Sequence, residues 1–314
     1  MIIRDDLRED VAFAAGGVTL RGTVFHPSTG APPASTGPAA TVVMAHGFGA
    51  VRAQYLDRFA ARFTAAGLRV LAYDHRNFGD SDGRPRQDID PWVQIRDFQH
   101  AISYARSRPD VDGRRLGVWG TSFSGGHVLV LGAIDPRIRA VVAQVPTISG
   151  SEAARRRVLP HLAPTVVAAQ TADREAIYAG APPQRRPLTE DGSGHPPVYA
   201  GPAAQEFMAR PASRPATFVN AVTLQSLART RDYEPGGYVA RISPTPLLMI
   251  VTTHDDVAFT DLQLDAYERA RHPKRLELLP GGHFVCYEEA FESSVGPAVE
   301  WFVTHLTDMP SSAR

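Results

Sequence analysis

Short apolar runs and stretches of helical period take turns along most of the 314-residue chain, and this alternation restricts the fold more than any other feature. Thr41–Ala45 has the length and apolar content of a buried strand, and Leu68–Tyr73, Arg115–Trp119, Ile138–Val145, Leu247–Val251 and Leu276–Leu279 are expected as further strands. Between them, Tyr55, Phe59 and Phe63 recur at i, i+4, i+8 within Ala53–Ala66, a helix that Gly67 closes. Trp92, Ile95, Phe98, Ile102 and Ala105 form one stripe over Pro91–Arg108, which stops before Pro109. Further helices are expected starting in Gly125–Gly132 and over Leu262–Arg271 and Tyr287–Leu306. Strands joined through helices need right-handed crossovers, so the chain predicts an α/β fold with a mostly parallel sheet and helices on both faces. At the start, Val11–Ala14 and Thr19–Phe25 flank Gly16-Gly17 and predict a hairpin, followed by a Pro- and Ser-rich loop over His26–Pro38.

The alternation stops between about Pro146 and Ser243. This stretch holds Arg155-Arg156-Arg157, several prolines, a loop at Glu190–His195, and an expected helix over Ala216–Arg229 with Phe218, Val222 and Leu227 roughly on one side. An insertion at the carboxyl ends of two core strands lies over the crevice where open α/β sheets bind ligands. The expected organisation is therefore a core of residues 1–146 and 244–314, interrupted by a lid of residues 147–243.

Composition removes several function classes. Lys+Arg and Asp+Glu are both 33, so no net field favours nucleic acid or an anionic membrane, and neither is an expected partner. No apolar run approaches the roughly 18–20 residues that span a bilayer. The charged start, Met1–Asp10, lacks the apolar stretch of a secretory signal, which makes the cytoplasm the default location. Cys286 is the only cysteine, so neither an intrachain disulfide nor a cysteine-rich metal site is possible. The 11 histidines include no zinc-binding cluster, the only lysine, Lys274, is in no phosphate-binding loop, and no dinucleotide fingerprint follows the first strands. Neither a metal nor an organic cofactor is expected.

The segment Leu116-Gly117-Val118-Trp119-Gly120-Thr121-Ser122-Phe123-Ser124-Gly125-Gly126 runs from a strand through a tight turn into a helix. That context holds a serine hydroxyl exposed on an elbow and makes Ser122 the candidate nucleophile. The usual elbow reads Gly-x-Ser-x-Gly, and here Ser124 takes the last position, with glycines directly after it. A serine needs a base, and the base needs an orienting carboxylate. His283 follows the strand Leu276–Leu279 and Asp255 follows Leu247–Val251, both at the carboxyl edge of the sheet, with Asp256 as a rival acid. The backbone N–H groups of Phe123 and of Phe48, in His46-Gly47-Phe48-Gly49, are candidates for an oxyanion hole.

Together, His46-Gly47-Phe48, Asp74-His75-Arg76-Asn77-Phe78-Gly79-Asp80-Ser81, the Ser122 elbow, Asp255-Asp256-Val257 and Gly282-His283-Phe284 resemble the α/β-hydrolase superfamily, over roughly residues 11–150 and 243–307. Within it the chain is similar to the dienelactone-hydrolase-like and acetyl-xylan-esterase-like branch. Asp88-Ile89-Asp90-Pro91-Trp92-Val93-Gln94 and the elbow resemble a subgroup of polyketide transferases and thiohydrolases. The departures are Asn77, where glycine is frequent, and Ser124. The resemblance implies an α/β-hydrolase fold and a serine hydrolase that cleaves a small ester or thioester through Ser122, His283 and Asp255. One alternative is an acyltransferase that passes the same acyl group to an alcohol or amine. Another is a binding protein without turnover. The expected partner is a small acyl ester or thioester. Arg155-Arg156-Arg157 offers a place for an acyl-carrier protein to dock, although a solvated face of the insertion accounts for it as well.

Overall fold

The chain was described with a computed structural model covering residues 7–27 and 37–307. Met1–Asp6 of the charged start and most of the loop expected over His26–Pro38 lie outside the described residues.

Both glycines of the first turn adopt positive φ, 50° at Gly16 and 88° at Gly17, and so let β1 (Arg8–Ala15) fold back on β2 (Val18–Phe25). The core continues with β3 (Ala39–Ala45), α1 (Leu56–Ala65), β4 (Arg69–Tyr73), α2 (Pro91–Ser107), β5 (Val111–Thr121), α3 (Phe123–Ile134) and β6 (Ile138–Gln144). Helix α2 begins where its sequence says it should: Pro91 occupies the first turn, and the Asp90 carboxylate accepts the N–H groups of Trp92 and Val93. The chain then leaves the sheet to form α4 (Gly150–Arg157), α5 (Ala163–Tyr178), β7 (Arg185–Arg186), α6 (Pro202–Ala209), β8 (Val222–Thr223) and α7 (Leu224–Arg231). It returns as β9 (Leu247–Thr252), α8 (Thr260–Arg269), β10 (Lys274–Leu279) and α9 (Phe291–Leu306).

The main sheet has the order β1-β2-β4-β3-β5-β6-β9-β10. The pairs β1–β2 and β2–β4 are antiparallel, and every pairing from β4 to β10 is parallel. Side chains alternate across β5 and show the two covered faces. Trp119 packs against Phe59 of α1, and a Cβ at Gly117 would meet Phe302 of α9, whereas a Cβ at Gly120 would meet α3. This is the α/β-hydrolase architecture.

Two expected elements differ. In place of a helix over Ala216–Arg229, β8 pairs with β7 and the helix runs only from Leu224 to Arg231. The Thr223 hydroxyl, which accepts from Ser226 N–H, caps its start there. The last helix begins at Phe291 and not at Tyr287, because Val285–Tyr287 forms a single 3₁₀ turn. Among the described residues no helix is long and apolar enough to cross a membrane.

Candidate active site

Ser122 stands between β5 and α3 with φ 56° and ψ −114°, a backbone conformation that few non-glycine residues adopt. The surroundings hold it there. Its N–H donates to the Gln144 carbonyl at 2.8 Å, and its own carbonyl accepts from Thr147 N–H at 2.9 Å. A Cβ at Gly120 would lie 2.1 Å from the Ser124 carbonyl oxygen, and one at Gly125 would lie 2.8 Å from Pro146 Cα. Glycine is therefore required at 120 and 125, and the residue between Phe123 and Gly125 is free to be a serine.

The loop after β10 brings His283 over Ser122, with Nε2 3.0 Å from the Ser122 hydroxyl oxygen. On the other side of the ring, Nδ1–H donates to Asp255 Oδ2 at 2.8 Å. With that proton committed, Nε2 is the bare nitrogen that accepts Ser122 O–H. Asp255 is fixed from several directions. Its Oδ1 accepts the N–H groups of Val257 and Ala258 at 2.9 and 2.7 Å, and Oδ2 accepts Gln263 Nε2–H at 2.9 Å. Burial pushes the Asp255 carboxyl up, but the charge and hydrogen bond of His283, with these N–H donors, outweigh it and hold the group below its usual range. Asp256 is exposed, and its carboxylate lies toward Gly201 with no bond to His283 among the described residues. Nothing in the sequence singles out Gln263; only the packing of α8 on β9 brings it to Asp255.

Phe48 lies just past the end of β3. Its N–H has no hydrogen-bond partner among the described residues. Phe123 is the first residue of α3, so its N–H has no carbonyl a turn earlier within the helix. A Cβ at Gly47 would come 3.2 Å from Ser122 Cβ, so the loop carrying Phe48 passes directly beside the serine.

A cavity of about 60 Å³ opens onto Ser122 and His283. Its walls include Tyr55 and Leu56 at the start of α1, Phe284 and Tyr287 after His283, and Phe207 and Met208 of α6. No Asp, Glu, Lys or Arg is among the described residues lining it. Sequence periodicity gave no signal for Phe207, which lies far along the chain from the elbow. Gln54 Nε2–H donates to the Ser213 carbonyl at 2.5 Å, and Arg210 pairs with Glu288, which tie this part of the insertion to the core. Cys286 is fully buried, and burial pushes its thiol up to about 12.

The arginine triplet is largely occupied. Arg155 pairs with Glu152, Arg156 pairs with Asp261, and Arg157 lies over the Tyr199 and Phe259 rings. Behind the elbow three more histidines are buried side by side. The His46 and His75 ring centres are 4.7 Å apart, and those of His75 and His127 are 5.7 Å apart. Burial lowers all three, His127 to about 3, and their mutual proximity adds to this at His75 and His127.

A family model described as Serine aminopeptidase, S33 matches residues 36–289. The Quorum-quenching protein AidA of Acinetobacter baumannii (strain MDR-ZJ06) is 34% identical over 297 residues, which cover 93% of this chain and 93% of that protein. Thiohydrolase aneE of Aspergillus aculeatus is 30% identical over 268 residues, covering 83% of this chain and 81% of that protein. Among solved structures, the α/β hydrolase GrgF from Penicillium sp. sh18 is similar with a TM-score of 0.82 and 27% identity, over 95% of this chain and 99% of that one.

Proposed function

The chain belongs to the Serine aminopeptidase, S33 family of α/β-hydrolases, and on that premise we propose that it cleaves esters or thioesters of small, uncharged, apolar acyl groups through an acyl-enzyme on Ser122. The observation that carries this reading is the continuous hydrogen-bond chain from Asp255 through His283 to the Ser122 hydroxyl. Ser122 Oγ attacks the acyl carbonyl while His283 Nε2 takes its proton. Asp255 holds the ring tautomer and stabilises the imidazolium. The N–H groups of Phe48 and Phe123 receive the oxyanion. As the tetrahedral intermediate collapses, the bond to the leaving group breaks and His283 returns the proton to that oxygen or sulfur. Water, deprotonated by His283, then releases the acid and restores Ser122.

The cavity supports the choice of acyl group. Its 60 Å³ is about four to six times the roughly 10–15 Å³ that one water-sized probe occupies, room for a chain of a few carbons. An aminopeptidase must hold a positively charged α-amino group, and no carboxylate is among the described lining residues to do so. A relative named thiohydrolase supports thioesters beside oxygen esters.

A second reading, transfer of the acyl group to an alcohol or amine, draws support from the cover over the site. Ser122 is 8% exposed and His283 3%, so the species that removes the acyl group enters through a narrow opening. One assay tests both. Short p-nitrophenyl esters and acyl thioesters are supplied with and without an alcohol, and free acid and transferred product are measured. Wild type is expected to turn over, and Ser122→Ala to lose about 10³-fold or more of that rate while keeping its fold. Retained activity in purified Ser122→Ala would reject the role of Ser122.

A further inference from the structure

We propose that Ser124, backed by His75, is a positioning residue that sets the oxyanion-binding loop His46–Phe48 against the nucleophile. The inference rests on the reading of Ser122 as that nucleophile. It arises from the place where the elbow departs from Gly-x-Ser-x-Gly, and from buried polar groups that the proposed chemistry does not itself use.

Ser124 is fully buried in the first turn of α3. Its hydroxyl donates to the His46 carbonyl at 2.5 Å, since a carbonyl can only accept. With its proton spent there, the hydroxyl oxygen accepts from His75 Nε2–H at 3.0 Å. His75 N–H donates to His46 Nε2 at 3.2 Å, which makes that nitrogen the bare one. His46 therefore carries its proton on Nδ1 and donates it to the Gly47 carbonyl at 3.0 Å. Three of these hydrogen bonds close a circuit linking the ends of β3 and β4 to the start of α3, and the fourth carries it on to Gly47.

The circuit ends on the group that matters. The Gly47 carbonyl and the Phe48 N–H belong to one planar trans peptide and point in opposite directions. The His46 ring and the Ala50 N–H, which donates to the same carbonyl at 3.2 Å, together hold it on one side and so turn the Phe48 N–H to the other, and that N–H is left without a partner among the described residues. Ser124 holds the peptide unit just before this one through the His46 carbonyl. A glycine at 124 would leave that carbonyl and His75 Nε2–H buried and unpaired, and they would recover partners only by shifting the loop.

The experiment compares wild type with Ser124→Ala, Ser124→Gly, His75→Leu and His75→Gln. Gln is chosen because its side-chain N–H can replace the donor of His75. Each variant is measured for kcat and KM on a short p-nitrophenyl ester, for Ki of a trifluoromethyl ketone, and for Tm. The ketone adds to Ser122 and places an oxyanion where the reaction does. The expected result is a loss of about tenfold or more in kcat for both Ser124 variants and His75→Leu, with KM within about threefold. The ketone Ki should rise by the same factor as kcat falls, and His75→Gln should recover at least a third of wild-type kcat. A destabilised but correctly shaped site would move Tm without this parallel change in Ki. If one variant does not fold, the remaining ones carry the comparison. Folded Ser124 variants with kcat and ketone Ki within twofold of wild type would overturn the inference. Wild type that is neither active nor blocked by the ketone would instead overturn the reading of Ser122, and this inference with it.

Discussion

The ring of Phe207 stacks on that of Phe284, with centroids 4.5 Å apart and planes 20° from parallel. Phe284 directly follows His283, so α6 of the insertion rests on the residue next to the proposed base. Phe207 also stacks on Tyr55 at 5.1 Å, and both rings line the cavity. An aromatic contact between insertion and core thus forms one wall of the cavity beside Ser122.

Phe207→Ala removes that wall. Activity on longer acyl esters should rise relative to the shortest by about tenfold or more in kcat/KM, since even one methylene in an apolar pocket is worth about that much. Loss of the buried ring should cost about 3 kcal/mol of stability. A chain-length series together with a denaturant melt checks both, and an unchanged chain-length profile would contradict the cavity's role.

Asp255→Asn should keep the fold and lower kcat by about 10⁴-fold, because an amide no longer demands the tautomer that leaves His283 Nε2 bare. Asp256→Asn should stay within about twofold of wild type, since that carboxylate is exposed and away from the ring. Steady-state kinetics of the pair separates the two acids. Equal losses would mean that the loop, not the Asp255 carboxylate, is what counts.

His46, His75 and His127 are held neutral by burial, below the ordinary imidazole value of 6.5. The unfolded chain gains protons there as pH falls below about 6.5 while the folded chain does not, so the stability these groups contribute is present above that pH and lost beneath it. For His127, whose value in the fold is about 3, the loss between pH 7 and 5 should be about 2 kcal/mol. Urea unfolding at several pH values should show stability falling over this range, with a smaller slope in His127→Gln. A flat profile would show that these rings take up protons in the folded state.

The parallel sheet is readable from sequence because its central strands β3, β4 and β9 are buried on both faces and appear as short apolar runs, whereas the edge strand β10 is half-exposed and carries Lys274, Arg275 and Glu277. The proximity of Ser122, Asp255 and His283 follows from the same source, since the carboxyl ends of parallel strands share one edge. The insertion is not readable in this way. Helix α5 buries only Gln170 and Asp173, so it has no apolar stripe to detect. Over Ala216–Arg229 the apolar spacing suggests a longer helix, but Val222 and Thr223 pair with β7 instead, and backbone pairing outweighs local periodicity. Asn77 replaces a frequent glycine at φ 71°, a left-handed conformation that asparagine tolerates and that its bond to the Asp88 carbonyl supports. The part played by Ser124 depends on two hydrogen bonds to residues remote in the chain, and spacing alone carries no trace of it.

The most direct test of the central claim is intact-mass analysis of the protein treated with a fluorophosphonate, followed by peptide mapping. One adduct per chain is predicted, on Ser122, with loss of esterase activity in step with labelling and no adduct on Ser122→Ala. An active protein that takes no label, or takes it on another residue, would contradict the account.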